Sequence, residues 1–508
     1  MNSMSPYTNI YALFESRFPE DQVTFIETPD NQYFSYGDLR VTSARIANIL
    51  EQSGVKRGDR VAVQVEKSPQ ALFLYLACLR AGFIYLPLNT GYTESELAYF
   101  MSNAEPAAVV CDPANTGRFV TLTASLGSRI FDLDKTGSGS LIDAANTQPA
   151  EHTVTTCEPD DVAVILYTSG TTGRPKGAMI SHNNLAANGL ALHQAWGWTK
   201  DDVLLHALPI FHIHGLFVAC HCVLLNGSKM LFAPRFDTDT VVRLLPRSTV
   251  LMGVPTFYTR LLADARFTRD VCSNMRLFVS GSAPLLEQTF VDFRERTGHT
   301  ILERYGMTET GMNTSNPLEG DRIAGTVGPA LPGVEARVVD DSDQAVPVNT
   351  VGNLQVRGEN VFRGYWRMPD KTAEEFTEDG FFRTGDMARI NEQGYVSIVG
   401  RSKDMIITGG YNVYPKELES LIDDMDNVQE SAVIGLPHTD FGEAVTAVIV
   451  LKDNGRQPEE AGMIRQLKQQ LAGYKIPKKI IIVDKLPRNT MGKVQKNLLR
   501  DEYSELYR

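Results

Sequence analysis

The chain has 508 residues, too many for one ordinary hydrophobic core, so at least two domains are expected. Hydrophobic residues make up 43% and charged residues 22%, the balance of a soluble globular protein. A formal net charge of -12 repels phosphate, which argues against nucleic-acid or anionic-membrane partners and requires any phosphate site to be built locally from loop amides and a few Lys or Arg.

The first residues lack a basic segment followed by an apolar run, so no secretory signal is expected. Residues 71–81 carry apolar side chains at helical spacing. The runs 107–111, 162–166 and 277–279 are short, apolar and bounded by polar residues or Gly, as buried strands are. The apolar stretch 213–225 is interrupted by His214 and His221 and is too short to span a membrane, so no membrane insertion is expected. Within it, Cys220-His221-Cys222 lacks a second ligand pair at zinc spacing and reads as a buried segment. The six cysteines are scattered and read as buried thiols of a reducing cytoplasm.

This alternation of helix and strand predicts an α/β fold with helices covering sheets. Residues 334–339, 351–357 and 395–399 alternate apolar and polar side chains, which predicts a β-rich subdomain before residue 400. From Asp404 the pattern restarts: helix 415–424, strands 430–435 and 444–451, helix 459–471 and strand 479–483. The expected organisation is a large N-terminal domain over 1–400, a junction at 401–403 and a small α+β domain over 404–508.

One segment after an apolar strand stands out: Tyr167-Thr168-Ser169-Gly170-Thr171-Thr172-Gly173-Arg174-Pro175-Lys176-Gly177. Its glycines let the backbone curl and turn amide hydrogens toward an anion. The hydroxyls of Thr168, Ser169, Thr171 and Thr172 add donors, and Lys176 adds charge. The order of a Walker loop is absent, and the competing reading is a polar surface turn.

The segment resembles the signature phosphate loop of the adenylate-forming superfamily, which holds acyl-CoA synthetases, peptide-synthetase adenylation domains and beetle luciferases. Later motifs follow in the family's order across nearly the whole chain. They are Pro209-Ile210-Phe211-His212-Ile213-His214-Gly215, Ser280-Gly281-Ser282-Ala283-Pro284-Leu285 and Tyr305-Gly306-Met307-Thr308-Glu309. Then come Tyr365-Trp366, Phe382-Arg383-Thr384-Gly385-Asp386, Gly400-Arg401-Ser402-Lys403-Asp404 and Leu486-Pro487-Arg488-Asn489-Thr490-Met491-Gly492-Lys493.

The resemblance implies ATP, magnesium and coenzyme A as co-substrates and cofactors, and an acyl-AMP intermediate. Glu309, with Thr168, suits magnesium, since a hard carboxylate holds a hydrated ion bridging phosphate oxygens. Tyr305 is expected against adenine, bordered by Gly281, Ser282 and Ala283, with Glu303, Arg304, Gly306, Met307 and Thr308 around it. Asp386 is expected to accept both ribose hydroxyls, with Arg401 close to ribose or phosphate. Lys493 is expected to bridge the α-phosphate and the incoming carboxylate, whereas Lys496 is expected to be solvated. A lysine on the small domain cannot occupy the site while a thiol attacks there, so the small domain is expected to rotate about Lys403 and bring Gly409 and Gly410 to the pantetheine tunnel. His212 is expected at the mouth between acyl pocket and tunnel.

Around Arg304 the match narrows to malonyl-CoA synthetases: Glu303-Arg304-Tyr305-Gly306-Met307-Thr308-Glu309-Thr310, then Met312-Asn313-Thr314-Ser315-Asn316-Pro317, and Leu251-Met252-Gly253-Val254-Pro255-Thr256. A guanidinium facing the acyl pocket implies a second carboxylate on the substrate, clamped with Arg260 and Ser282, hence malonate or methylmalonate. The competing reading pairs Arg304 with Glu303. A synthetase for another short or aryl acid, and an adenylation enzyme loading a separate carrier protein, are the alternative functions. A cytoplasmic monomer or homodimer is expected.

Overall fold

The computed structural model describes residues 8–168, 175–408, 411–452, 459–471, 473–489 and 492–507. The expected positions of Ser169, Gly170, Thr171, Thr172, Gly173, Gly409 and Gly410 lie outside the described residues.

Two large sheets organise the first 400 residues. One has seven strands, in the order Gly364–Tyr365, Lys176–Ser181, Val162–Thr168, Ile84–Pro87, Arg60–Gln64, Ala108–Cys111, Arg129–Asp132. The other has eight, running from Gly311–Ser315 through Leu302–Met307, Leu277–Ser280, Val250–Gly253 and Val203–His206 to Lys229–Phe232, Thr24–Glu27 and Tyr33–Ser35. Most pairings are parallel; antiparallel pairs close both edges of the eight-stranded sheet and the Gly364–Tyr365 side of the seven-stranded one. The helix Pro69–Ala81 shows why these layers form. Ser68 caps its start, Pro69 occupies the first turn, and Gly82 ends it at φ 70°. Nearly every side chain on it is buried, as in a helix enclosed on all faces.

A four-stranded antiparallel sheet, Val334–Val339, Gly352–Gly358, Phe382–Ile390 and Val396–Arg401, supplies the expected β-rich part. One hydrophobic core runs from Ile10 to Val396, and separate cores gather Ile406 to Ile480 and Ala432 to Leu499 around a C-terminal five-stranded sheet. The apolar stretch at 213–225 folds as a π-helix, His214–Cys220, running into a short α-helix, His221–Leu224. Wide π turns are rare and concentrate at functional sites. No helix among the described residues is long and apolar enough to cross a membrane.

The strands on either side of the signature segment, Val162–Thr168 and Lys176–Ser181, pair antiparallel with Thr168 opposite Lys176. One expectation is corrected here. Lys496 is not solvated; its ammonium lies 2.5 Å from Glu419 in a partly buried ion pair.

Candidate active site

At the phosphate end, the hairpin brings Thr168 Oγ1 within 3.4 Å of Glu309 Oε1. The Tyr365 hydroxyl donates to the same oxygen at 3.2 Å. Glu309 is 6% exposed, and burial raises its pKa while Lys176 and Arg401 oppose that. A buried carboxylate short of positive charge beside a hydroxyl is a donor set that fits a hard, oxygen-seeking cation such as magnesium. Lys176 is tied to Glu375 at 3.2 Å and lies 4.1 Å from the Tyr365 ring centroid.

At the ribose end, Asp386 and Arg401 face each other across two antiparallel strands. Asp386 is 4% exposed, accepts from the Tyr305 hydroxyl and is paired with Arg401 Nε at 2.9 Å. Arg401 Nη1 also donates to the Thr384 carbonyl at 3.0 Å. Lys493 stands above this pair on a turn held by Asn489, whose Oδ1 accepts from the Lys493 amide at 3.0 Å. Its surface is open to solvent, yet protein crowds it on most sides. That crowding, then Arg401, lowers its pKa, and Asp386 opposes the shift. A Cβ on the neighbouring Gly492 would stand 3.6 Å from Thr256 Oγ1, so this C-terminal turn sits against the helix Pro255–Leu262.

At the acyl end, Arg304 is 4% exposed, and its Nε and Nη2 have no hydrogen-bond partner among the described residues. Burial pulls its pKa down to about 9, against a small opposing effect of Tyr258. Its guanidinium packs against Gly281, where a Cβ would come within 2.3 Å of Cζ and displace the guanidinium. Glu303 does not neutralise it. Adjacent residues on the strand Leu302–Met307 point to opposite faces, and Glu303 turns toward Leu285, Lys416 and Glu287, with burial raising its pKa to about 8. Arg260 is the second guanidinium expected there. It is exposed at the last turn of its helix, because helical phase gives the buried face to Phe257, Tyr258 and Leu261.

Ser282 does reach the acyl end. It holds φ at 72°, a strained conformation for a non-glycine residue, and its Oγ lies 3.2 Å from His214 Nδ1. Gly281 and Ser282 thus face Arg304 and His214, with Ala283 half-buried after them. His212 is held neutral by burial and then by Arg304, with its pKa lowered to about 4, and its Nδ1 accepts from the His214 amide at 3.3 Å. Gly306 is confined by the Gly311 carbonyl, and Met307 Sδ lies 3.9 Å from the Tyr305 hydroxyl. Thr308 is half-buried in the turn leading to Glu309. Gly311 takes φ 62° against Asn188, which explains a glycine at that place. Lys403 is exposed on the single turn Ser402–Asp404, and burial of its surroundings lowers its pKa while Asp404 opposes.

Sequence reasoning assigned no role to Tyr365, Glu375 or His214. Tyr365 and His214 lay inside quoted motifs, so the available signal was a hydrogen-bonding side chain within an otherwise apolar run. Glu375 had none, since its partner Lys176 is 199 positions away.

The fold, with the Asp386–Arg401 pair, the buried Glu309 and Lys493 gathered beside them, is that of an adenylate-forming enzyme. Residues 14–366 match the AMP-binding enzyme family and residues 417–493 the C-terminal domain of AMP-binding enzymes. The chain belongs to the AMP-binding enzyme family. It is similar to a malonate–CoA ligase of Arabidopsis thaliana, 35% identical over 93% of this chain and 85% of that one. It is also similar to the crystal structure of ATP-bound MatB from Rhodopseudomonas palustris, with 54% identity, a TM-score of 0.97 and coverage of 98% and 99%. Against apo MatB from the same organism, at the same identity and coverage, the TM-score is 0.85. The chain thus overlays more closely on the ATP-bound structure than on the apo structure.

Proposed function

We propose that this protein is an AMP-forming malonate–CoA ligase that also admits methylmalonate. The observation that carries the reading is the buried Arg304 guanidinium, whose Nε and Nη2 lack a partner among the described residues. Leaving a buried charge unpaired is expensive, and a substrate carrying a second carboxylate removes that expense on binding. The malonate–CoA ligase relative and the MatB structures support the same substrate class.

In the first step a carboxylate oxygen of malonate attacks the α-phosphorus of ATP, and the bond to the bridging oxygen breaks, giving malonyl-AMP and diphosphate. Lys493 holds the attacking carboxylate and the α-phosphate together, because its compact ammonium sits beside the Asp386–Arg401 pair that anchors the ribose. Glu309 and Thr168 would hold magnesium, which supplies positive charge to the phosphate oxygens. In the second step the coenzyme A sulfur attacks the acyl carbon, the acyl–phosphate C–O bond breaks, and AMP leaves. Lys493 must then vacate the site, and we assign the movement to residues 404–508 turning against 1–400 about 401–403, with Lys403 as the pivot. Two separate hydrophobic cores and the unequal overlay on ATP-bound and apo MatB support that assignment. Six free buried cysteines support a reducing, cytoplasmic setting.

The test is diphosphate release with small mono- and dicarboxylates, followed by thioester formation with free coenzyme A. Malonate is expected to exceed propionate by on the order of 100-fold or more in kcat/KM, as expected when one acid leaves a buried charge unpaired. Equal turnover of the two acids would refute the substrate assignment.

A further inference from the structure

Arg304 is not the only unsatisfied group at the acyl end. His214 Nε2 and Ser280 Oγ are also buried without a hydrogen-bond partner among the described residues. His214 is 0% exposed, and its other nitrogen, Nδ1, is engaged by Ser282 Oγ at 3.2 Å. Burial, then Arg304, His212 and His206, drives its pKa well below the ordinary value, so the ring carries a single proton. A carboxylate can only accept, so binding one selects the tautomer in which Ser282 donates to Nδ1 and the proton on Nε2 makes the orphan atom a donor.

The backbone that carries the ring is held in place. His214 opens the π-helix, and the next residue, Gly215, is so tightly packed that a Cβ would lie 2.0 Å from the Pro209 carbonyl. The Gly215 carbonyl accepts from His206 Nε2 at 2.8 Å. His206 Nδ1 is in turn engaged by Lys67 Nζ at 2.7 Å, and Lys67 also donates to the carbonyls of His206 and Ala233 at 3.0 and 2.6 Å. The Gly215 carbonyl can only accept, which puts the His206 proton on Nε2 and leaves Nδ1 to accept from Lys67. A buried lysine thus braces the turn that presents His214.

We propose that His214 is a specificity-determining residue whose Nε2–H donates to the carboxylate the substrate retains, alongside the Arg304 guanidinium. The proposal rests on the malonate reading above. A carboxylate has more acceptor positions than one guanidinium fills, and Arg304 already balances its charge. A neutral donor therefore adds direction without adding a second buried cation. It also penalises an acid that lacks the second carboxylate, because His214 then stays unpaired along with Arg304.

The experiment compares kcat/KM for malonate and propionate in His214→Ala, His214→Asn, His214→Gln and Arg304→Ala. Glutamine returns an N–H near the Nε2 position, whereas asparagine returns one only near Nδ1. We expect the malonate-to-propionate ratio to fall roughly 10- to 100-fold in His214→Ala and His214→Asn, the range for a hydrogen bond to a charged group. Part of the ratio should return in His214→Gln. A merely structural histidine would lower both acids together and leave the ratio unchanged. That result, with Arg304→Ala still collapsing the ratio, overturns the proposal and leaves the malonate reading intact. A wild-type enzyme without malonate preference overturns both.

Discussion

The two ends of the candidate site treat charge in opposite ways. At the ribose end Asp386 is fully partnered, with Arg401 on one oxygen and Tyr305 on the other. At the acyl end Arg304 is as deeply buried as Asp386, yet part of its guanidinium has no partner. Both are single charges held on strands, so burial alone does not set the difference. The ribose is the same in every turnover, and a pre-paired shelf serves it at low cost. The acyl group is what the enzyme must choose, and an unpaired charge makes the choice by binding only what completes it.

The comparison breaks most visibly if the two ends respond alike to mutation. Asp386→Ala strands the Arg401 guanidinium, and we expect a loss of about 3–5 kcal/mol of stability by urea unfolding, with adenylation of every acid impaired. Lys493→Ala should reduce diphosphate release on the order of 10²–10³-fold while thioester formation from supplied malonyl-AMP is largely retained. Comparable loss in both half-reactions would contradict the two-arrangement mechanism. Arg304→Met should do the reverse of Asp386→Ala. It removes an uncompensated buried charge, so the ligand-free protein should gain about 1–4 kcal/mol in urea while malonate turnover is lost.

The smallest effect is in pH. Lys493 acts as an ammonium, and its folded pKa is lowered, so it gives up its proton earlier than an ordinary lysine with a pKa of 10.5. The kcat/KM of adenylation should therefore fall as pH rises through a value below that figure. The thioester half-reaction, which does not use Lys493, should lack this alkaline limb. A shared limb in both profiles would show that the titrating group is not Lys493.

The parts of this comparison that local chemistry decides were legible in the sequence. Ser68, Pro69 and Gly82 mark the ends of the buried helix, and the restart of the pattern after Asp404 anticipates a second core. Ordered motifs located Glu309, Asp386, Arg401 and Lys493, which the structure gathers from distant strands and turns. What escaped depends on which face a residue takes or on remote pairing. Whether Glu303 neutralises Arg304 turns on strand alternation, and the exposure of Arg260 turns on its helical phase. The Lys176–Glu375 and Lys496–Glu419 pairs join segments that nothing in their local spacing connects. The contacts of Lys67 with the carbonyls of His206 and Ala233 are equally remote in sequence.

The account turns on whether the vacancy beside Arg304 belongs to the substrate, and ligand-dependent unfolding measures that without relying on turnover. Malonate, added with ATP withheld, should raise the melting temperature of the wild-type protein and leave that of Arg304→Met unchanged, while propionate shifts neither. A malonate-induced shift of equal size in Arg304→Met would contradict the account.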